Sequence, residues 1–409
     1  MALDCVANQR MNGTLPIRVA LFHIMSGNFS GAGKNIFRLV RRIDVAKLDT
    51  VLIGQTENEL TARVRDIGLK VLIVPYPAAL DVYDQELLQP SIGRLVRAIG
   101  GIVRYNVSLL AMFRENKIEV VWADNIRTFL FVYPASKLRG CKVIWNIWSE
   151  PRGAVAWTLH RVGLLFADSI NLEYSGQAEK LFGGLARLRM FRRKLVALYT
   201  GVTDFDEPAG TDIRRELGLS AEDIVILMAC NISPAKGQMD LLIAMRTLVQ
   251  RLPNVHLLLA GRAPATHDAS VNYQSKLEAY VSQNDLRGNV HFLGWRSDMT
   301  DVYCACDIFA STSYSESFPD AAREAMRAGK PVVATNVGGT AELVHEGESG
   351  RLFEPGDVQT LVSSLSELVV DVDLRHSMGQ AGRCIIAERF STEEYARAFE
   401  NMVVGLLRA

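Results

Sequence analysis

Short apolar runs alternate with segments of helical spacing along most of this chain of 409 residues. In the first half, the strand pattern occurs at 17–24, 51–54, 71–75, 119–124, 142–148, 169–173 and 194–199. In the second half, it occurs at 223–229, 255–261, 290–294, 307–312 and 331–335. Nearly continuous apolar runs are typical of parallel strands that helices cover on both faces. The alternation therefore predicts an α/β fold of two doubly wound, Rossmann-like domains.

The alternation breaks at a polar, turn-rich stretch, 201–217, which we interpret as an interdomain linker. We predict a loose tail at 1–16, an N-terminal Rossmann-like domain at 17–200 and a C-terminal one at 218–390. We expect a last helix, at 391–409, to pack back toward the N-terminal domain. Ligands of doubly wound sheets bind beyond the carboxyl ends of the strands, so we expect a site in the cleft between the two domains.

Composition narrows the class of protein. Hydrophobic residues make up 49% and charged residues 22%, which fits ordinary globular cores. Lysine plus arginine equals aspartate plus glutamate at 45 each, which argues against a general nucleic-acid binder. We predict no transmembrane helix and no signal peptide, because the chain has no run of 18 apolar residues and its start has no apolar core. The six cysteines are scattered in apolar contexts without zinc spacing, so we expect a reducing, cytoplasmic compartment.

A glycine-rich turn, SGNFSGAGKN at 26–35, follows the first predicted strand and precedes a helical pattern. A phosphate can bind at such a turn. The spacing argues against a triphosphate-binding loop, because five residues separate Gly27 from Gly33 and Asn35 replaces the required hydroxyl residue. Two interpretations remain. The glycines either let a helix start close to a strand or let the backbone approach a bound ligand.

Two carboxylates stand near one predicted helix start. Glu316 lies in the loop after the strand at 307–312, and Glu324 lies in the early turns of the following helix, which Pro319 is well placed to begin. Carboxylates accept hydrogen bonds from hydroxyls and a helix N-terminus attracts phosphate, so the arrangement suits sugar and ribose recognition. A helix-capping carboxylate followed by a surface glutamate would give the same spacing.

This stretch resembles the signature of the family 4 retaining glycosyltransferases, in which two glutamates separated by seven residues precede an EAM-A-G-PVVAT-VGG--E run. The chain reads E-SFPDAAR-E-AMRAGKPVVATNVGGTAEL from Glu316 onward. The segment NISPAKG at 231–237 resembles the family's GRL--KG loop, and YTGVTDFDEP at 199–208 resembles its interdomain NGVD---F-P. The likeness covers most of 17–400 and is strongest in the second half. It implies the GT-B fold, in which two Rossmann-like domains face a central cleft.

The resemblance also implies a function. It implies a metal-independent hexosyltransferase that uses a nucleoside diphosphate sugar as co-substrate and needs no cofactor. Glu324 would hold the ribose hydroxyls, and Glu316 would reach hydroxyls of the transferred sugar. Lys236 would contact the diphosphate, where negative charge grows as the leaving group departs.

Backbone groups complete the site that the resemblance implies. The N–H groups around Ser317 and Phe318 would line the sugar and phosphate. Gly31 and Gly33 would bring the backbone of the first domain against the diphosphate. On this interpretation the Gly-Lys ending of the turn is incidental.

The chain departs from the family pattern at two places. The arginine that usually accompanies the lysine is Asn231 here, which donates a hydrogen bond but carries no charge. Arg262 is a candidate second cation. The loop after a first-domain strand, where the family often has a histidine, offers Asn146, Trp148 and Glu150 instead.

Several other polar residues have simpler explanations. The Asp-x-Asp pairs at 204–206 and 371–373 resemble manganese ligands of a different glycosyltransferase fold, but we interpret them as solvated and predict no metal. We interpret His23, at the end of the first strand, as a satisfied, partly buried histidine. The basic stretches 92–114 and 185–195 could rest on the inner face of an anionic membrane, although solvated helix faces are our preferred interpretation.

Two alternative functions stay open at this point. One is a sugar-nucleotide 2-epimerase of similar architecture, and the other is a non-catalytic nucleotide-sugar binding protein, which Asn231 makes conceivable. For a transferase, we expect a glycan, lipid-linked or small-molecule acceptor and no nucleic-acid partner. The sequence leaves the donor base, the sugar, the acceptor and the oligomeric state open.

Overall fold

The computed structural model describes residues 15–23, 31–77, 92–148, 150–151, 153–202, 209–264 and 268–408. The chain divides into two compact units. Met1–Gly201 and Thr392–Ala409 form the first unit, and Val202–Ser391 form the second. Each unit contains one parallel sheet with helices between successive strands, so the predicted α/β, doubly wound fold class is confirmed.

The first unit is built from alternating strands and helices. In chain order they are β1 (Ile17–His23), α1 (Gly31–Val40), β2 (Leu48–Gly54), α2 (Glu59–Asp66), β3 (Lys70–Ile73), α3 (Ile92–Glu115), β4 (Val120–Ala123), α4 (Ile126–Leu138), β5 (Lys142–Ile147), α5 (Ala154–Phe166), β6 (Ser169–Leu172), α6 (Gln177–Phe182), a 3₁₀ turn (Gly183–Arg187), α7 (Arg189–Arg192) and β7 (Leu195–Ala197). The strand order is β3-β2-β1-β4-β5-β6-β7, and every pairing is parallel.

Successive residues along the strands point to opposite faces of this sheet. Each face carries a separate apolar layer. One layer contains Phe22 and Trp145 and lies under α3, α4 and α5. The other contains Leu21 and Trp122 and lies under α1 and α2. Helix α5 approaches the sheet closely because its Gly163 has no side chain, and a Cβ there would come within 2.8 Å of the Trp145 ring.

The second unit repeats the plan with six strands. Its elements are α8 (Ile213–Glu216), β8 (Ile224–Ala229), a 3₁₀ turn (Pro234–Lys236), α9 (Gln238–Val249), β9 (Val255–Ala260), α10 (Asp268–Gln283), β10 (Val290–Gly294), α11 (Met299–Ala305), β11 (Ile308–Ser311), α12 (Asp320–Arg327), β12 (Val332–Thr335), α13 (Thr340–Leu343), β13 (Gly350–Phe353), α14 (Val358–Val370) and α15 (Val372–Arg389). The strand order is β10-β9-β8-β11-β12-β13, again all parallel.

A final helix, α16 (Thr392–Arg408), belongs to the first unit. It buries Tyr395, Phe399 and Val403 in the apolar layer under α1 and α2. Its buried Glu400 accepts hydrogen bonds from the Asp44 backbone N–H and from Lys47 Nζ, each at 2.8 Å. Both polar and apolar contacts therefore hold α16 in the first unit.

The described helices differ from membrane-spanning ones in length and hydropathy. None of them is both long enough and apolar enough to span a bilayer.

Candidate functional site

The residues that carry the family signature meet at the carboxyl edge of the second sheet. The loops after β8, β11 and β12 leave this edge, and these three strands are neighbours in the sheet. The strand order reverses between β8 and β11. Such a reversal opens a crevice where doubly wound sheets bind their ligands.

An ion pair joins the first two of these loops. Lys236 Nζ lies 2.6 Å from Glu316 Oε1, and the Ser313 hydroxyl donates to the same oxygen at 2.7 Å. Both charged side chains are largely shielded, with 26% of Lys236 and 16% of Glu316 exposed. The structure thus brings together two residues that lie 80 positions apart in the sequence.

Backbone contacts fix the loop that carries Lys236. Gly237 has a φ of +67°, and a Cβ on it would lie 2.1 Å from the Thr312 carbonyl oxygen. The Thr312 hydroxyl donates to the Gly237 carbonyl at 2.8 Å, and the Tyr314 N–H donates to the Ala235 carbonyl at 2.9 Å. Glycine is therefore required here both by the left-handed backbone and by the close approach.

The loop after β12 fixes the Glu316 loop from its other side. Gly338 has a φ of +58°, and a Cβ there would lie 2.0 Å from the Glu316 carbonyl oxygen. The Gly339 N–H donates to the Ser317 carbonyl at 2.7 Å, and the Thr335 hydroxyl donates to the Ser313 carbonyl at 2.6 Å. The Val-Gly-Gly part of the signature therefore shapes the backbone around the glutamate.

Glu324 sits on α12 and is half-buried. Its Oε2 accepts a hydrogen bond from the hydroxyl of Tyr303, on α11, at 3.0 Å. Burial raises the pKa of Tyr303 well above its ordinary value, and the nearby Glu324 charge raises it further, so this phenol stays a donor. Glu316 is not the cap of α12, because the helix follows Pro319 without a side-chain cap. The interpretation as a capping carboxylate plus a surface glutamate therefore does not hold.

Ser317 and Phe318 lie between the two glutamates. The Ser317 hydroxyl oxygen is buried without a hydrogen-bond partner in the described structure. The Phe318 ring is buried beneath the Arg323 guanidinium at 4.7 Å and beside the Phe390 ring at 5.3 Å. The phenyl group is thus a core element, and a ligand at this position would meet the Phe318 backbone.

The two candidate replacements for the missing arginine lie on adjoining loops. Asn231 and Arg262 are both exposed, and the Ile232 N–H donates to the Arg262 carbonyl at 3.2 Å. Among the described contacts, neither side chain touches the Lys236–Glu316 pair. Gly31 and Gly33 are in the first unit, in the first turn of α1, and Gly33 is buried. The preceding residues 24–30 lie outside the described residues.

In the first-unit loop where the family often has a histidine, the side chains of this chain contact neighbouring residues. Asn146 is buried in β5 and hydrogen-bonds Asn171. The Trp148 ring packs edge-on against Trp122, with 6.0 Å between ring centroids. Glu150 pairs with Lys180 at 2.5 Å. These contacts assign all three side chains to the local structure of the first unit.

A buried histidine–aspartate pair lies at the carboxyl end of β1, and only its histidine was predicted from the sequence. His23 Nδ1 and Asp124 Oδ2 are 2.8 Å apart, and the Thr128 hydroxyl donates to Asp124 at 2.6 Å. His23 is thus a satisfied buried histidine. The signal for its partner was present in the sequence, since Asp124 directly follows β4, which pairs with β1.

Within the described ranges, no group of three or more histidine, cysteine, aspartate or glutamate side chains is arranged to hold a metal ion. Asp371 accepts a hydrogen bond from the Leu374 N–H at 2.8 Å and so caps α15. The other Asp-x-Asp pair, at 204–206, lies outside the described residues.

Solved structures similar to this chain define its class of fold. HepE of Anabaena, solved in complex with UDP, superposes with a TM-score of 0.76 at 21% identity, covering 95% of this chain and 100% of that one. A glycosyltransferase from Rickettsia africae gives a TM-score of 0.75 at 15% identity, covering 96% and 99%. Identities this low show the fold alone, and the predicted GT-B fold is confirmed.

One part of the sequence matches a family model. Residues 210–384, less than half of the chain, match the model of the family "Glycosyl transferases group 1". The match confirms the resemblance noted in the signature.

Curated relatives agree with this assignment. The D-inositol 3-phosphate glycosyltransferase of Corynebacterium jeikeium is 34% identical over 193 residues, which are 46% of this chain and 45% of that protein. The N-acetyl-alpha-D-glucosaminyl L-malate synthase of Bacillus anthracis is 27% identical over 198 residues, 48% and 50% of the two chains. The chain spans about half the length of the curated relatives it matches.

Proposed function

We propose that this protein is a retaining glycosyltransferase that moves a sugar from a nucleoside diphosphate sugar to a glycan, lipid-linked or small-molecule acceptor. The observation that carries the proposal is the Lys236–Glu316 pair, with Glu324 nearby in sequence, at the strand reversal of a group 1 glycosyltransferase domain. Retention follows the family resemblance and not a particular residue of the described site.

Lys236 is the residue that we assign to the leaving group. Its ammonium sits at the carboxyl edge of the sheet on a loop that backbone contacts hold in place. Stabilisation of developing charge by a preorganised donor is a large part of catalysis in sites of this kind. In the structure Glu316 neutralises this cation, so a bound diphosphate would compete with a carboxylate for it.

In this proposal the two glutamates bind different parts of the donor. Glu316 accepts hydrogen bonds from hydroxyls of the transferred sugar, and Glu324 accepts them from the ribose. Tyr303 supports the second role, because its hydrogen bond orients the Glu324 carboxylate. The unpartnered Ser317 hydroxyl and the backbone around Phe318 are the groups that we assign to the sugar and phosphate.

Four further residues complete the donor site in the proposal. Asn231 and Arg262 lie on the loops beside Lys236 and would assist it with a hydrogen bond and a charge. Gly31 and Gly33, in the first turn of α1, stay candidates for backbone contacts with the diphosphate in this proposal. No metal or other cofactor is needed in this scheme, because Lys236 supplies the positive charge.

The donor base, the cell compartment and the membrane contact also remain proposals. HepE has been solved with UDP and with UDP-glucose, which supports testing uridine donors first. The five cysteines of the described chain form no disulfide, which fits the proposed cytoplasmic location. We place the enzyme peripherally on the inner face of the membrane.

A donor panel tests this function against its alternatives. The purified protein would be supplied with uridine, guanosine and adenosine diphosphate sugars, with and without candidate acceptors. Acceptor-dependent release of nucleoside diphosphate supports transfer. Isomerised sugar would indicate an epimerase, and saturable binding without turnover would indicate a binding protein. The curated relatives are named for glycosyl transfer or synthesis, which favours the first outcome.

A further inference from the structure

Three neighbouring helices on one face of the first sheet turn apolar side chains outward. Helices α3, α4 and α5 all cover the apolar layer that contains Trp145. On each helix, exposed apolar residues recur every three or four positions. They are Ile99, Val103 and Val107 on α3, Leu130, Pro134 and Leu138 on α4, and Val155, Leu159, Val162 and Phe166 on α5. We call these residues the three-helix face.

The exposed apolar residues of this face are more numerous and more regularly placed than the single ones found on ordinary protein surfaces. Val103 is 59% exposed, Val107 62% and Leu138 74%. Single exposed apolar residues are common on soluble proteins, whereas ridges on three adjacent helices indicate a contact surface. Valine and isoleucine are also poor helix formers, so an exposed helical site gains nothing from them unless another surface covers them.

Charge shows what kind of surface would cover the three-helix face. The sequences of α4 and α5 contain no aspartate or glutamate. Exposed arginines stand beside the apolar ridges, namely Arg104 on α3, Arg139 after α4 and Arg161 on α5. The face therefore combines apolar ridges with positive charge.

A second basic segment lies beside the end of α5. Lys194 Nζ donates to the Leu165 carbonyl at 3.4 Å, which places the last residue of the segment 185–194 there. That segment contains four arginines and Lys194 but no acidic residue. The acidic side chain of Asp168, which follows α5, is paired with Lys137 at 2.5 Å. Positive charge thus borders the face at this end.

We propose that the three-helix face docks on an anionic lipid bilayer. Its apolar ridges would enter the headgroup region, and its arginines would meet lipid phosphates. A second copy of this chain fits less well, because a two-fold contact would bring the same basic border against itself. The inference rests on the proposed function in one respect: if the protein is a glycosyltransferase, docking on a bilayer implies that its acceptor is a molecule held at the membrane.

Vesicle sedimentation tests the inference with the full chain. We expect binding to vesicles that contain phosphatidylglycerol, weaker binding at high salt, and none to phosphatidylcholine alone. Val103→Asp and Leu138→Asp should each reduce the partition coefficient about tenfold or more. Arg161→Gln should reduce the preference for anionic vesicles.

A matched control separates the face from exposed apolar residues in general. Val45 is 67% exposed in the turn between α1 and β2, and α1 covers the face of the sheet opposite to α3. Val45→Asp should leave vesicle binding unchanged. Circular dichroism spectra should show that every variant folds.

Several results would overturn the docking proposal. They are absence of binding to both kinds of vesicle, equal effects of V103D and V45D, and a dimer in light scattering that V103D dissociates. Binding of nucleoside diphosphate to the same preparations, measured by calorimetry, would show independently whether the donor site is functional. Donor binding without vesicle binding would refute the docking surface and leave the proposed function standing.

Discussion

At the scale of single residues, the proposed function gives Lys236 the largest catalytic role. Lys236→Ala should lower turnover at saturating donor by about 10²–10³-fold, because it removes a preorganised cation from the departing diphosphate. Steady-state release of nucleoside diphosphate measures the effect. Lys276→Ala is a suitable control, since Lys276 is an exposed lysine on α10 of the same unit.

Near-normal turnover of Lys236→Ala would mean that another group stabilises the leaving group. Arg262 would then be the first residue to replace. The converse experiment is Asn231→Arg, which supplies the cation that the family pattern has at this position. It should raise turnover or partly rescue Lys236→Ala.

Glu324 should contribute mainly to nucleotide affinity. Glu324→Gln removes the charge of an acceptor opposite the ribose hydroxyls, and hydrogen bonds to charged groups contribute about 1.5–3 kcal/mol. Calorimetry should therefore show weaker binding of nucleoside diphosphate. Glu316→Gln is the internal comparison, because it should weaken binding of the sugar nucleotide more than of the free diphosphate. Unchanged affinity in a folded E324Q would remove Glu324 from the site.

The sequence predicted the charged residues of the candidate site better than their supports. Lys236, Glu316 and Glu324 were found from motif spacing and resemblance. The supporting hydroxyls of Ser313 and Tyr303 were not, because they act through contacts that only the folded chain creates. Tyr303 lies 21 positions from the glutamate that it orients, on a different helix.

At the scale of elements, two histidines on neighbouring strands make the second unit sensitive to acid. His256 Nδ1, on β9, lies 3.3 Å from His291 Nε2, on β10. Burial lowers the pKa of both imidazoles, although the Asp223 carboxylate opposes the shift at His256. Both groups therefore favour the neutral form in the folded chain.

The lowered pKa values predict how the stability of the second unit depends on pH. The unfolded imidazoles, with a pKa near 6.5, bind protons before the folded ones do. The second unit should thus keep this stability above about pH 6.5 and lose it as pH falls toward the lowered folded values. Urea unfolding of the full chain across this range measures the loss. A double variant, His256→Gln with His291→Gln, should show a shallower dependence, and an identical slope would contradict the explanation.

Strands were predicted best where both faces are apolar. Strand β8, with four fully buried residues, was predicted at 223–229 and observed at Ile224–Ala229. Strand β13 (Gly350–Phe353) was missed, because it lies at the sheet edge, begins with glycine and includes an arginine. An edge strand needs only one neighbour, so its sequence shows a weaker apolar pattern.

At the scale of the whole molecule, turnover should survive a chelator. The proposed chemistry relies on Lys236 for positive charge and on no divalent ion. Activity measured in EDTA should match activity without it. Complete loss of turnover in EDTA, restored by manganese, would contradict this prediction and return attention to the Asp-x-Asp pair at 204–206.

The two-unit plan was predictable from the period of the alternation, because each strand and helix repeats the same buried pattern. The contacts that hold α16 were less predictable, since they depend on side chains far away in sequence. Glu400, for example, meets Lys47 across 353 positions. No local pattern encodes such a contact.

The path of the chain has a consequence for synthesis on the ribosome. The chain enters the second unit at Val202 and leaves it at Ser391, and these two residues form a β-bridge. The second unit is thus one continuous segment, whereas the first unit needs Phe399 and its neighbours on α16 to fill its core. A nascent chain is made from its N-terminus. All residues of the second unit are therefore synthesised before α16. The first unit, although most of its residues are made first, cannot complete its core until α16 has been synthesised.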